Sequence, residues 1–537
     1  MIDLSKIVFP NRTDKLEIVD LTSEQQDKYD PTRKGRQFLK GMEKEGDFTP
    51  TPPEFRKFPK DVYLDWKAVR DKRLAYNSPH LPILRYEDEL AVKCGPQGKR
   101  VALSALKDSL HELYRQVPRS INPDILRRGV RYLLQRIRDR VQLHVPQPIR
   151  GIGVTGTSAG LSTMLKKGQF YAETIAMTAW RHVKPDLIGQ RYQRSSARLI
   201  HNDDVCNVRY IENLLSEVRF YLRREFPEYF GSWLPPYKWV EPCMHAAVHS
   251  QYGFSSAEAD YEKCDRYFSR DLAMELLPIY EAILTPGDYL HFASFIEELF
   301  EQPVFLGEEM WTGLHNLFSG QGITNDFETL YDVCQMLGVL LSLGVSPIGL
   351  EGPKPRLISL SNGDDMTLIE IYRNPSQRDS RFSNDYLQAY AEAAASCNMI
   401  IHPDKSRIST EDIRFCRRVY YPALKSECVD GNILGVRGAY PSNFTLMSLY
   451  HPESHQPDAT LRAIACLSRL DNLYGSPLWS PFVEYVLSRR TPSYPLPDQL
   501  EQAASDYTDW WYRVYNTRFD LRKSPTYSII LKRNLRF

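Results

Sequence analysis

Apolar and polar positions divide the chain into stretches of different period. Across 102–142 apolar residues recur at helical spacing. Within 123–142 Leu126, Val130, Leu133, Leu134, Ile137 and Val141 alternate with Arg127, Arg128, Arg131, Arg136, Arg138 and Arg140, predicting an amphipathic basic helix. Positions 271–300 alternate acidic and apolar residues at the same period, and 325–343 read as a long apolar helix. A short strand is expected over 251–259. The run 356–372 is strand-like on both sides of Asn362-Gly363, the strongest short hairpin signal, and a type I′ turn is expected there. Positions 383–397 are Ala-rich and helical, with Ser383 placed to cap them. From about 427 onward the pattern is mostly helical and aromatic, and 45–60 is a linker rich in Pro and charge. Strands in the centre with helices on either side predict an α+β fold.

Length and composition narrow the class. The chain has 537 residues, room for three or four lobes at roughly 100–200 residues each. Its 42% hydrophobic and 25% charged residues are ordinary for a globular protein and exclude disordered or fibrous classes. The longest apolar stretch, around 333–343, is too short to span a bilayer, so no membrane association is expected. The first 20 residues lack the apolar core of a signal peptide, and nine scattered cysteines without a CxxC pair read as free thiols.

The net charge of +1 argues at first against a nucleic-acid enzyme. It is unevenly spread. Residues 99–200 hold 19 Lys and Arg against 6 Asp and Glu, while 251–335 hold 3 against 16. The basic segment suits polyphosphate; the acidic one suits divalent cations or solvated helix faces.

Candidate chemistry lies in that acidic ground and at the hairpin. Adjacent Asp364 and Asp365 at a fixed turn are hard oxygen ligands of the kind Mg²⁺ takes. Asp260, at the end of the 251–259 strand, supplies a third carboxylate if the strands are neighbours, and Asp265 lies about one turn further on. Carboxylates from separate elements are what two-metal phosphoryl transfer requires.

Five segments in order resemble the palm motifs of viral RNA-directed RNA polymerases: DYEKCDRYFS (260–269, motif A), SGQGIT (319–324, motif B), SNGDD (361–365, motif C), HPDKS (402–406, motif D) and FCRR (415–418, motif E). TSAG (157–160) and RSSARLI (194–200) resemble finger motifs G and F. The resemblance covers about 155–420. It is most similar to polymerases of picobirnaviruses, which have segmented double-stranded RNA genomes, with partitivirus and picornavirus enzymes next.

That resemblance implies a closed right hand: a palm of antiparallel sheet plus helices, with mostly helical fingers and thumb. Its lobes would be an N-terminal extension (1–60), fingers (61–250 with part of 271–318), palm (251–270 and 319–425) and thumb with C-terminal tail (426–537). It implies RNA synthesis on an RNA template from ribonucleoside triphosphates, with two Mg²⁺ ions for which Mn²⁺ could substitute. Asp260 and Asp364 would ligate the ions with Asp365 in support, and Lys405 would protonate the leaving pyrophosphate. Asp265 would read the ribose 2′-hydroxyl. Ser319 and Gly320 would form a flexible loop, and Thr324 would face the sugar. Asn325 is either a sugar contact or, with Glu328, a capping box. Arg194 and Arg198 would guide the triphosphate, while Lys184 and Arg191 are as readily solvated. Thr157, Ser158 and Gly160 would meet the template, and Phe415, Arg417 and Arg418 the nascent strand, with Cys416 packing. The implied partners are template and product RNA and capsid protein; the implied state is a monomer in the virion interior and host cytoplasm. The basic tail 521–537 or the N-terminal extension could enter the active cavity.

The competing readings are a catalytically silent RNA-binding protein of the capsid interior and a reverse transcriptase. Asp265 and Gly363 speak against the second, and the full set Asp260, Asp364, Asp365 and Lys405 against the first. Three motifs are set aside. GIGVTG (151–156) sits in no evident βαβ unit, with Glu173 the acid that a dinucleotide site would use. Cys243, His245 and His249 lack a fourth zinc ligand. Trp510-Trp511 reads as thumb core.

Overall fold

The computed structural model describes residues 17–20, 61–74, 78–95, 103–114, 121–137, 142–143, 183, 185–192, 197–233, 239–306, 309–345, 347, 356–402, 405–424, 437–452, 459–489, 501 and 521–532. The elements begin with β1 (Glu17–Asp20), α1 (Val62–Arg73), α2 (Leu81–Ala91), α3 (Leu103–Tyr114) and α4 (Asp124–Arg136). Next come β2 (Asp186–Tyr192), β3 (Ala197–Asn202), α5 (Val205–Glu225) and α6 (Val240–Val248). The centre holds β4 (Phe254–Ala259), α7 (Cys264–Tyr267), α8 (Arg270–Ile283), α9 (Pro286–Leu299), β5 (Val304–Leu306), β6 (Glu309–Thr312) and α10 (Thr324–Ser342). Then follow β7 (Arg356–Asn362), β8 (Asp365–Ile371), α11 (Phe382–Ser396), β9 (Arg407–Ser409), β10 (Ile413–Phe415) and β11 (Arg418–Tyr420). Helices α12 (Ser442–Tyr450), α13 (Ala459–Asp471), α14 (Trp479–Ser488) and α15 (Pro525–Lys532) end the described chain.

The central sheet has order β7-β8-β4-β9, and every pair in it is antiparallel. Strand β4 is buried along its whole length, as a strand covered on both faces must be. The strand period of two sorts β8 between two cores. Met366 and Leu368 join the helices α4, α5 and α8–α11 on one face, while Ile369 and Ile371 join α1, α2, α6 and α12–α14 on the other. A second sheet, β1-β6-β5-β2-β3, packs on α3 through Leu106, Leu110, Trp311 and Phe318.

Helix α10 runs through the larger core and is buried at every position from Asp326 to Leu340. Helix α4 crosses it at backbone distance, because each contributes a glycine. A Cβ on Gly338 would lie 2.0 Å from the Ile125 carbonyl oxygen, and one on Gly129 would lie 1.7 Å from that of Cys334. The expected acidic helix over 271–300 is two helices. Leu284 leaves the helical region, Thr285 accepts the Asp288 amide at 3.3 Å as N-cap, and Pro286 takes the first position of α9. Ser383 does not cap α11: Arg381 stands at the cap, and the Ser383 hydroxyl bonds Glu370 at 3.3 Å.

Helices α1 and α2, placed by sequence with the fingers, share a core with α12–α14. Trp66 packs against Phe482 and Tyr485 and donates to the Ser442 hydroxyl at 2.8 Å. Glu87, fully buried, accepts from the Ser442 hydroxyl at 2.6 Å and the Asn443 amide at 3.1 Å. Residues 521–530 of the tail lie on α13, with Tyr527 buried and the Thr526 amide on Asp471 at 2.9 Å. Among the described residues no two cysteines form a disulfide. Among the described residues no helix is long and apolar enough to cross a membrane.

The opposite charges noted in sequence are partly spent on each other. Arg127 makes a two-pronged bond to Glu275 at 2.6 and 2.8 Å, and Lys107 reaches Glu309. Because the α4–α10 crossing admits no side chain, Gly338→Ala should destabilise the protein by about 1–3 kcal/mol, the usual cost of overpacking. Urea melts of the variant against wild type measure it.

Candidate active site

The register of the central sheet assembles the site. Ala259 pairs with Met366, so the next position sets Asp260 beside Asp365 at the sheet's edge. Asn362 pairs with Asp365, leaving Gly363 and Asp364 as a two-residue loop. Only Gly363 has positive φ (+62°), which excludes the expected type I′ turn and matches type II′, glycine first. The type I′ turn is in β10–β11 instead. There Cys416 (φ +49°) and Arg417 (φ +62°) both hold left-handed conformations as non-glycine residues, a strain of about 1–3 kcal/mol each.

Three carboxylates therefore share one edge. Burial, then the negative charges of Asp364 and Asp260, push the Asp365 carboxyl up to about 7, with Arg417 opposing. The Lys405 ammonium, 145 residues away in sequence, sits 2.7 Å from Asp260 Oδ2. The motif D segment is anchored there by its backbone: the His402 amide donates to the Asp260 carbonyl at 2.8 Å and the Asp260 amide to the Ser406 hydroxyl at 3.2 Å. Among the described residues no three His, Cys, Asp or Glu side chains already converge as a metal cluster, consistent with Asp260 being turned toward Lys405. The donor chemistry nonetheless fits a divalent cation. All three candidate ligands are carboxylates, Asp365 is held short of compensating positive charge, and an ammonium already stands against Asp260. Cys243, His245 and His249 form no such group either; Cys243 is buried and the two imidazoles are 4.6 Å apart.

The sugar-side residues line up differently from expectation. Asp265 lies on the single turn α7 and accepts the Arg266 amide at 3.0 Å. Gly320 has φ +114°, and a Cβ there would lie 2.5 Å from the His201 carbonyl oxygen of β3. The His201 amide donates to the Ser319 carbonyl at 3.3 Å, and the Phe318 ring is stacked between His201 and His315, with centroids 4.0 and 3.8 Å away. The Ser319-Gly320 loop is thus fastened to the strand that carries Arg198. Thr324 opens α10, and its hydroxyl donates to the Phe318 carbonyl at 2.6 Å, closing the loop beneath it. Asn325 is inside that first turn, so the capping box with Glu328 does not form. Asn325 instead accepts from Ser232 at 3.4 Å and its amide abuts Gly363. Glu328 is buried; burial, then Asp364 and Asp265, raise its carboxyl well above the usual range.

The motif E residues divide. Phe415 is buried, its ring filling the space beside Gly231, so it packs and does not present itself to a strand. Arg418 is spent on the Gly438 carbonyl and the Asn472 side chain, both at 2.7 Å. Arg417 is exposed, stacked on Phe444 and near enough to act on Asp365. Cys416 does more than pack: its sulfur accepts from Asn362 of the carboxylate turn at 3.0 Å. Thr157, Ser158, Gly160, Lys184, Arg194, the 151–156 glycines and Trp510-Trp511 lie outside the described residues, as do the side chains of Arg191 and Arg198. For Arg198 the backbone pairs with Arg191 in β2–β3.

One residue with no sequence signal joins motifs B and C. Ser232, buried after α5, bonds Asn325, Thr329 and Asn362, and the Thr329 hydroxyl takes the Gly363 amide at 2.8 Å. A lone serine in a connecting segment reads as solvent-facing; only the tertiary approach reveals it.

Comparison with known proteins is decisive at the level of architecture. No protein-family model and no curated protein matches the sequence. Among solved structures, the RNA-dependent RNA polymerase of a human picobirnavirus superposes with a TM-score of 0.75 at 14% identity, over 96% of this chain and 100% of that one. The insertion-loop deletion mutant of that polymerase gives 0.73 at 15% identity, over 92% and 99%. The fold is that of picobirnavirus RNA-dependent RNA polymerases. The likeness lies in the path of the backbone, since about six residues in seven differ.

The raised Asp365 carboxyl has a consequence for stability. In metal-free protein the folded state holds a proton there up to about pH 7, whereas an unfolded Asp releases it near pH 4. The folded state binds more protons across that window, so its stability falls as pH rises from about 4 to 7. Urea melts at pH 5 and pH 8 should show a smaller drop in Asp365→Asn than in wild type.

Proposed function

We propose that the protein is an RNA-directed RNA polymerase, joining ribonucleoside triphosphates on an RNA template by two-metal phosphoryl transfer. The observation that carries the reading is the strand register that sets Asp260, Asp364 and Asp365 at one end of the β4–β8 pair, within a polymerase fold. Divalent cations, when bound, supply the charge that neutralises the triphosphate and lowers the pKa of the attacking 3′-hydroxyl. Asp260 and Asp364 would hold them, with Asp365 in support, and Mg²⁺ is the natural occupant, Mn²⁺ a substitute.

The chain's own residues supply the rest. Lys405 moves from Asp260 to the leaving pyrophosphate and protonates it. Asp265 and the loop fastened by His201 recognise the ribose. Arg194 and Arg198 guide the triphosphate, and Arg417 is the motif E cation left available to the nascent strand. Thr157, Ser158 and Gly160 meet the template. The polymerase is a closed right hand, in which the packing of α1 and α2 with α12–α14 is the tie between the N-terminal part and the thumb. It works as a monomer that transcribes and replicates a double-stranded RNA genome, in the virion interior and host cytoplasm, beside capsid protein.

Purified protein should extend RNA from ribonucleotides with Mg²⁺ or Mn²⁺, and Asp364→Ala should reduce incorporation of radiolabelled nucleotide to background. Polymerisation by that variant would refute the metal assignment, and an inert wild type that binds RNA would favour the silent RNA-binding protein. RNA affinity, read by filter binding from 50 to 200 mM salt, should fall by about 10³–10⁵-fold if 6–10 phosphates are contacted. A flat dependence would mean that the basic residues face only solvent.

A further inference from the structure

Helix α10 carries a carboxylate where its neighbours are apolar. Asp332 has no solvent exposure. The Tyr390 hydroxyl of α11 donates to its Oδ1 at 3.0 Å, and the Ser361 hydroxyl of β7 donates to its Oδ2 at 3.3 Å. The Tyr261 hydroxyl lies 2.6 Å from that of Tyr390 and so reaches the carboxylate through it. Both direct partners and the Tyr261 behind them are hydroxyls, and none is a cation. A carboxylate buried in this way costs several kcal/mol of desolvation that an aliphatic side chain of similar size would avoid. Core filling therefore does not explain it.

The identity of the partners does. Tyr261 is the residue after Asp260, and Ser361 stands three residues before Asp364. Their two strands are not adjacent, since β8 separates β7 from β4. The β4–β8 register sets Asp260 beside Asp365, but Asp364 itself lies in the two-residue loop, outside the ladder. Asp332 bonds Ser361 directly and Tyr261 through the Tyr390 hydroxyl, tying both to one point on a helix that is buried on all sides. Tyr390 braces the same point from α11, its ring tilted against that of Tyr386.

We infer that Asp332 is a positioning residue that sets the separation of Asp260 and Asp364, and through it the affinity of the site for divalent cations. This rests on the polymerase reading for its consequence, but the geometry it invokes is independent of nucleotide chemistry. Outer partners of metal-ligating carboxylates are worth about 10–100-fold in metal affinity. The same range is expected for a residue that holds two ligands at once.

The experiment measures Mn²⁺ binding to full-length protein by calorimetry and, separately, the Mg²⁺ concentration giving half-maximal RNA synthesis. Variants are Asp332→Asn, which keeps the shape, and Tyr261→Phe, Tyr390→Phe and Ser361→Ala, each removing one hydroxyl. Both metal readouts should shift by about 10–100-fold in Asp332→Asn, and by less in each hydroxyl variant, with RNA affinity unchanged. Variants that lose thermal stability or turnover but keep wild-type metal dependence would overturn the inference and leave Asp332 a core residue. Should Asp332→Asn fail to fold, the three hydroxyl variants decide the matter by the same criterion. A wild type that binds Mn²⁺ but makes no RNA would defeat the polymerase reading alone, because calorimetry still tests the positioning.

Discussion

Carboxylates repel, and this structure gathers several in one place. The antiparallel register of β4 and β8 leaves no choice: once Ala259 lies opposite Met366, Asp260 and Asp365 are neighbours, and the tight turn brings Asp364 with them. Buried Glu328 and Asp332 lie behind them on α10. Much of the surrounding architecture answers that concentration of charge. Lys405 neutralises Asp260, Arg417 acts on Asp365 from a strained turn, and hydroxyls of serine and tyrosine take up the acceptors that no cation reaches. What remains uncompensated is the negative charge that the proposed cations would meet.

Behind those carboxylates, α10 is held on every side. A helix buried on every side has no face free to yield, and its crossing with α4 is fixed by glycines at van der Waals limits. Motifs B and C rest on it. The Phe318–Gln321 loop leads into it, Thr329 holds the Gly363 amide, and Asp332 holds the Ser361 hydroxyl. A rigid spine of this kind lets loops carry the chemistry without losing their mutual spacing.

Period and turn chemistry made much of this legible in advance. The apolar alternation on either side of Asn362-Gly363 identified the hairpin, and the amphipathic arginine stripe identified α4. Three errors have a common origin in local patterns outvoted by tertiary contacts. Asn362 was drawn into the strand ladder, which shifted the loop by one residue and changed its turn type. Asn325 and Ser383 have capping chemistry, yet their helices begin one or two residues earlier, so both side chains bond across to other elements. Phe415 and Arg418 were assigned to the nascent strand by the resemblance of FCRR to motif E, but a motif does not say which side of a three-residue strand faces a core. Ser232 and Asp332 carried no signal, since a single polar residue becomes informative only when its distant partners are known. The segments of opposite charge were visible, but not that Arg127 and Lys107 would turn toward the acidic one.

The clasp between α2 and α12 bears on the order in which the chain matures. Glu87 is a buried acid whose partners, Ser442 and Asn443, lie 355 and 356 residues further on. At synthesis rates of about 5–20 residues per second, the helix bearing Glu87 waits tens of seconds before the groups that satisfy it exist. Until then Trp66, Ile83 and Leu84 also lack the core they will enter. The amino-terminal helices therefore complete their core only once the carboxy-terminal helices exist, although they are made early. The nascent protein must keep an apolar surface from premature association until its carboxy-terminal helices emerge.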